Sequence, residues 1–151
     1  ISETGAYWQT QGYGDTPWPA CGEADLLEHW GSDQNYVSSA THTPSSFGNT
    51  VNVGGQYVGT ASTEFHLYEL DWSAEQMVFS VDGTVHLTYA PVVKDADTWP
   101  FDDELYLLLN VAIQDSVVAE FESSQMEIDY VRVYAPGAGS NASPVWSDEF
   151  D

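Results

Sequence analysis

The sequence predicts an all-β sandwich, and three observations carry that prediction. Apolar residues recur in short alternating segments bounded by Gly, Pro, Asn, Asp and Ser, the spacing of strands and turns. No segment shows the three-to-four-residue recurrence of an amphipathic helix. Asp82-Gly83 stands between two alternating runs, a strong short-range hairpin signal. At 151 residues the chain is long enough to bury one core.

The first strand is expected over 23–30, in Glu23-Ala24-Asp25-Leu26-Leu27-Glu28-His29-Trp30. Period-two alternation puts Glu23 and Asp25 on one face and leaves Glu28 out of phase. A bulge near Leu26–Leu27 restores the phase and gathers all three carboxylates on one surface. A second strand, 36–42, ends in His42. Residues 43–62, with Pro44 and many Ser, Thr and Gly, read as a loop over one face. Further strands are expected over 64–72, 76–81, 84–89, 104–112 and 126–134. Residues 136–143 are a small-residue linker, or the scar of an expression tag around Ser140-Asn141-Ala142.

The acidic trio points to chemistry. Like charges packed together raise one another's pKa and destabilise the fold, so their concentration in six residues favours a catalytic role over a solvated acidic strand. A pair of carboxyls about 5–5.5 Å apart suits a retaining glycosidase, one as nucleophile and the other as acid/base.

Composition narrows the partners. Two basic residues, Lys94 and Arg132, face 24 Asp plus Glu, for a net charge of −22. Nucleic acid and anionic membranes need a cationic footprint and are therefore excluded as partners. Six Trp and nine Tyr suit a cleft whose ring faces stack on sugars, although β-sandwich cores also favour aromatics. Cys21 is the only cysteine, which rules out an intrachain disulfide. No run reaches the roughly 18 apolar residues of a membrane span, and no signal peptide is recognisable. The chain reads as mature or cut from a longer one.

Trp18-Pro19-Ala20-Cys21-Gly22-Glu23-x-Asp25-x-x-Glu28-His29 resembles the active-site strand of family 16 glycoside hydrolases, in the bulged form of laminarinases, agarases and carrageenases. Phe65-His66-x-Tyr68-x-Leu70-Asp71-Trp72 and Val78-Phe79-Ser80-Val81-Asp82-Gly83 resemble that family's paired core strands. Leu105 to Ala112 and Met126 to Tyr134 resemble its next and closing strands, so the likeness covers most of residues 7–134. It implies a concanavalin-like jelly roll, present here as an incomplete or permuted half. Residues 1–135 correspond to the later portion with the catalytic strand. Residues 144–151, Pro-Val-Trp-Ser-Asp-Glu-Phe-Asp, resemble the family's first strand in a permuted position, and a second chain or segment would complete the sandwich.

The resemblance also implies roles. Glu23 is the nucleophile, Glu28 the acid/base and Asp25 the carboxyl between them. Trp18, His42 and Trp99 are candidate sugar contacts. Asp129 and Glu149 are candidate ligands of a structural Ca²⁺, and catalysis needs no cofactor. The implied protein is an exported, endo-acting retaining β-1,3-glucanase acting on a neutral polysaccharide. Alternatives are a non-catalytic β-glucan-binding module, an agarase or a mixed-linkage glucanase. One departure stands out. Ile113-Gln114-Asp115-Ser116 replaces the Gly-Gly-x-Trp loop that commonly borders the family's cleft.

Overall fold

The computed structural model describes residues 16–113, 115, 117–139 and 141–150. The departure at 113–116 and the linker therefore lie partly outside the described residues, at Gln114, Ser116 and Ser140. The described residues form strands and turns without a helix, as the alternation predicted. The chain divides into two compact units, Ile1–Tyr106 and Leu107–Asp151.

The first unit holds two three-stranded antiparallel sheets. One joins β1 (Glu23–His29), β2 (Tyr36–His42) and β3 (Val53–Tyr57), in that order. The other joins β4 (Tyr68–Trp72), β5 (Met77–Val81) and β6 (Thr84–Tyr89). Strand β5 alternates as its sequence does, with Met77, Phe79 and Val81 buried. The β5–β6 turn falls at Asp82-Gly83, where φ is +49° and +75°. Positive φ at both central residues is what a tight hairpin demands.

Met77, Phe79, Tyr89, Trp99 and Phe101 form the buried cluster, with Ala24, Leu70, Leu87 and Leu105 packed against it. Ala24 is the core-facing residue between Glu23 and Asp25, so strand alternation puts the apolar and acidic sides of β1 on opposite faces. Trp99 belongs to this core and not to a cleft. It is 4% exposed, lies parallel to Tyr89 at 5.9 Å, and donates its indole N–H to Asp102 Oδ1 at 3.1 Å. Burying so large a ring and satisfying its one polar atom is a packing role.

Two expectations change. The segment 43–62 is not all loop, since it contains β3. Gly54 and Gly55 interrupt its alternation and hide the strand, and both are there for space. A Cβ at Gly54 would collide with the His86 carbonyl oxygen of β6, and one at Gly55 would meet the Tyr36 hydroxyl at 2.5 Å. The expected strand 104–112 forms no ladder among the described residues. Leu107, Leu108, Leu109 and Val111 are each exposed. Apolar residues do not make a strand without a neighbour to receive the backbone hydrogen bonds.

In the second unit the expected strand 126–134 contracts to β7 (Val131–Val133), which pairs antiparallel with β8 (Trp146–Asp148). Val145 N–H donates to Val133 C=O at 2.8 Å and extends that pairing.

Replacing Gly54 by Ala should destabilise the first unit by about 1–3 kcal/mol, because backbone, not a flexible side chain, blocks the new methyl. Chemical denaturation of the chain checks this, and an unchanged midpoint would show that β3 and β6 can separate at no cost.

Candidate active site

The site is built on β1. Glu23 pairs with His42, Asp25 with Ala40 and Glu28 with Ser38, and the register shifts between Asp25 and Glu28. Three steps along β1 thus match two along β2, leaving Leu26 and Leu27 opposite Ser39 alone. This is the expected one-residue bulge, and it brings Glu28 onto the face that already carries Glu23 and Asp25. Without it, alternation would turn Glu28 to the opposite side.

The approach to β1 is a tight turn. Gly22 N–H donates to Pro19 C=O at 3.0 Å, and Gly22 has φ +74°. A Cβ there would lie 2.7 Å from the Phe101 ring, so both conformation and space require glycine. The turn returns Trp18 over the strand, where its indole N–H donates to Glu23 Oε2 at 2.6 Å. Trp18 is 36% exposed and packs edge-on against Phe47 at 5.3 Å. It also leans on His42 at 6.0 Å. A half-open indole fixed to the first acid is suited to stacking on a sugar ring.

His42 sits across from Glu23, and its Nε2 lies 3.3 Å from Asp25 Oδ2. The imidazole therefore serves the middle acid. Asp25 is the electrostatic centre of the group. Burial, the Glu23 charge, a hydrogen bond with Glu23 and the Glu28 charge together push its carboxyl up to about 8. At neutral pH Asp25 is then protonated and acts as a hydrogen-bond donor to Glu23. That the middle acid keeps its proton limits the repulsion across the face. Glu23, Asp25 and His42 each bring a ligand-type atom within 4.8 Å of the others.

The second pair of expected site residues lies in the other unit. Both oxygens of Glu149 accept from Arg132, Oε1 from Nε at 2.9 Å and Oε2 from Nη2 at 2.6 Å. The guanidinium thus engages both oxygens of Glu149, one of the two carboxylates expected as calcium ligands, through one lone pair each. The antiparallel register, Val131 opposite Asp148, brings Glu149 beside Arg132.

The antiparallel β fold and the bulged acidic strand beneath an indole agree with the family resemblance drawn from the sequence. The family model for glycosyl hydrolases family 16 matches residues 4–132, and the chain belongs to that family. It is 33% identical over 137 residues to a beta-glucanase of Rhodothermus marinus, covering 82% of this chain and 48% of that protein. It is 31% identical over 125 residues to a keratan-sulfate endo-1,4-beta-galactosidase of Sphingobacterium multivorum, covering 78% of this chain and 29% of that one. The fold is similar to the laminarinase of Flavobacterium sp. UMI-01, with a TM-score of 0.55, 38% identity, and coverage of 65% of this chain and 40% of that structure. The chain thus spans less than half the length of these relatives, and its sheets correspond to part of a jelly roll.

The raised carboxyl has a stability consequence. An acid whose folded pKa lies above its unfolded value keeps a proton that the unfolded chain gives up, so it costs stability as pH rises from about 4 toward 8. Asp25→Asn should therefore stabilise the fold at pH 7 by roughly 1–3 kcal/mol and make no difference near pH 4. Denaturant midpoints at the two pH values check it. A variant no more stable at pH 7 would show that Asp25 is ionised there.

Proposed function

We propose that this chain carries the catalytic strand of an endo-acting, retaining β-glucanase that hydrolyses β-1,3 links of laminarin-type glucan. One observation carries the reading: the bulge aligns Glu23, Asp25 and Glu28 on a single face, with Trp18 fixed to Glu23. In this mechanism the Glu23 carboxylate attacks the anomeric carbon while Glu28 delivers its proton to the departing glycosidic oxygen. A glycosyl ester on Glu23 and a free sugar hydroxyl result. Glu28, now a carboxylate, takes a proton from water, which displaces Glu23 from the anomeric carbon and restores both acids. Asp25, protonated, donates to Glu23 and steadies its orientation through both steps.

Retention of all three acids weighs against a binding-only module. The reading also implies an exported protein, because the substrate is a polymer. The missing strands are supplied by a further segment, in the permuted order that residues 144–151 suggest. The short coverage of the relatives and the exposed apolar run at Leu107–Leu109 support that completion.

In the completed domain, Glu23→Gln should lower turnover by about 10³-fold or more while glucan binding persists, since only the covalent step is lost. Glu28→Ala should be equally slow on glucan yet regain rate with azide or with activated aryl glycosides that need no protonation. Kinetics on both variants test the roles. Residual turnover of Glu23→Gln near wild type would sink the nucleophile assignment.

Charge selects among substrates. The Sphingobacterium relative is named for a sulfated glycan, so family membership alone does not set the charge of the polymer. Here both basic side chains are already engaged. Lys94 donates to the Ala74 carbonyl and lies 3.9 Å from the Trp99 ring centroid, and Arg132 is paired with Glu149. Neither is free to hold a sulfate. A net charge of −22 also repels a polyanion during encounter. At low ionic strength kcat/KM for laminarin should exceed that for carrageenan by at least about 100-fold. Equal values would overturn the charge argument.

A further inference from the structure

The bulge that aligns the acids is held from behind by a hydrogen-bonded chain that starts at the buried Ser39 and crosses from one sheet to the other. Ser39, fully buried, is the one residue that faces both Leu26 and Leu27. Its hydroxyl donates to the Leu26 carbonyl at 2.8 Å, a group that the extra residue of the bulge removes from the regular ladder. Having donated its only proton, the Ser39 oxygen must accept from His86 Nε2, 2.8 Å away on β6 of the other sheet. His86 is thereby fixed as the Nε2–H tautomer. Its Nδ1 is then an acceptor, and the Gln56 side-chain amide of β3 donates to it at 3.4 Å. The same amide nitrogen donates to the Thr84 carbonyl at 3.3 Å. Every proton in the chain has one consistent direction.

Space for this chain is provided by Gly54, the residue paired with Ser39 on β3. Its missing side chain admits the His86 backbone, whose carbonyl occupies the place of a Cβ. On the far side of the bulge the Ser38 hydroxyl reaches the Glu28 carbonyl at 3.5 Å. The bulge is therefore gripped at both ends by β2, and the Ser39 end is relayed to another sheet.

We infer that Ser39, oriented by His86, is a positioning residue that sets the placement of Glu28 relative to Glu23, and so tunes proton delivery to the leaving group. The inference rests on the glycosidase reading above. Losing the Ser39 hydroxyl would take the partner from the Leu26 carbonyl and from the His86 N–H, both half-buried. Both would be relieved by letting the bulge relax, and a bulge that relaxes moves Glu28. Glu23, on the regular side of the bulge with its own Trp18 anchor, would stay.

The consequence is a split between substrates. General acid assistance matters most for a poor leaving group and little for one that departs unprotonated. In the completed domain, Ser39→Ala should lower kcat on laminarin by about 10-fold or more, since displacement of a catalytic group by about 1 Å is that costly. On a 2,4-dinitrophenyl glucan oligosaccharide the loss should stay within about twofold, because no proton is needed. Ser39→Thr, which keeps the hydroxyl, should restore the ratio. His86→Leu leaves the Ser39–Leu26 bond and removes its orienting donor, so it should shift the ratio in the same direction by less, and it serves as the readout if Ser39→Ala does not fold.

Equal losses on the two substrates, or none, in a folded variant would overturn the inference and leave the glucanase reading standing. An inactive wild-type completed domain would instead remove the glucanase reading itself.

Discussion

A single extra residue in one strand is the constraint from which the site follows. Strand alternation would give β1 two acids on one side and one on the other. The bulge opposite Ser39 cancels that, and it does so where the backbone can be repaired by a neighbouring hydroxyl. Insertions of this kind are usually left partly unpaired, with local twist as the result. Here the loose carbonyl is tied through Ser39 to His86, so the distortion is anchored to the opposite sheet. A strand anchored in this way places its side chains more rigidly than a loop would.

The same face concentrates an electrostatic conflict and resolves it locally. Three acids, no cation among them and partial burial would be unstable if all were ionised. Asp25 holds its proton because burial and two flanking carboxylates make its charged form the costly one. His42 beside it and the indole N–H on Glu23 share the remaining charge between them. The protein's two cations contribute nothing to this balance, since one stacks on a core tryptophan and the other closes the β7–β8 pair.

The two units differ in how they are held. The first has a cluster of aromatic and Met side chains buried between its sheets. The second is a short strand pair closed by a bidentate ion pair. The chain covers less than half the length of its relatives, and the apolar run at Leu107–Leu109 is exposed.

Much of this was legible in the sequence because it is local. Alternation located β1, β2, β5 and β6, Asp82-Gly83 fixed the hairpin, and the spacing of Glu23, Asp25 and Glu28 demanded a bulge. Those features depend on residues a few positions apart, where backbone geometry alone relates them. Tertiary structure decided the rest. Strand β3 was hidden because Gly54 and Gly55 answer to a strand of the other sheet and a tyrosine ring, not to their own alternation. Trp99 entered the core, for its ring found Tyr89 and Phe101 across the fold. Residues 104–112 have the composition of a strand and none of the pairing, because a ladder needs a partner that composition does not name. Ser39 and His86 are unremarkable in the sequence, 47 positions apart, and only the approach of two sheets makes them one hydrogen-bonded unit.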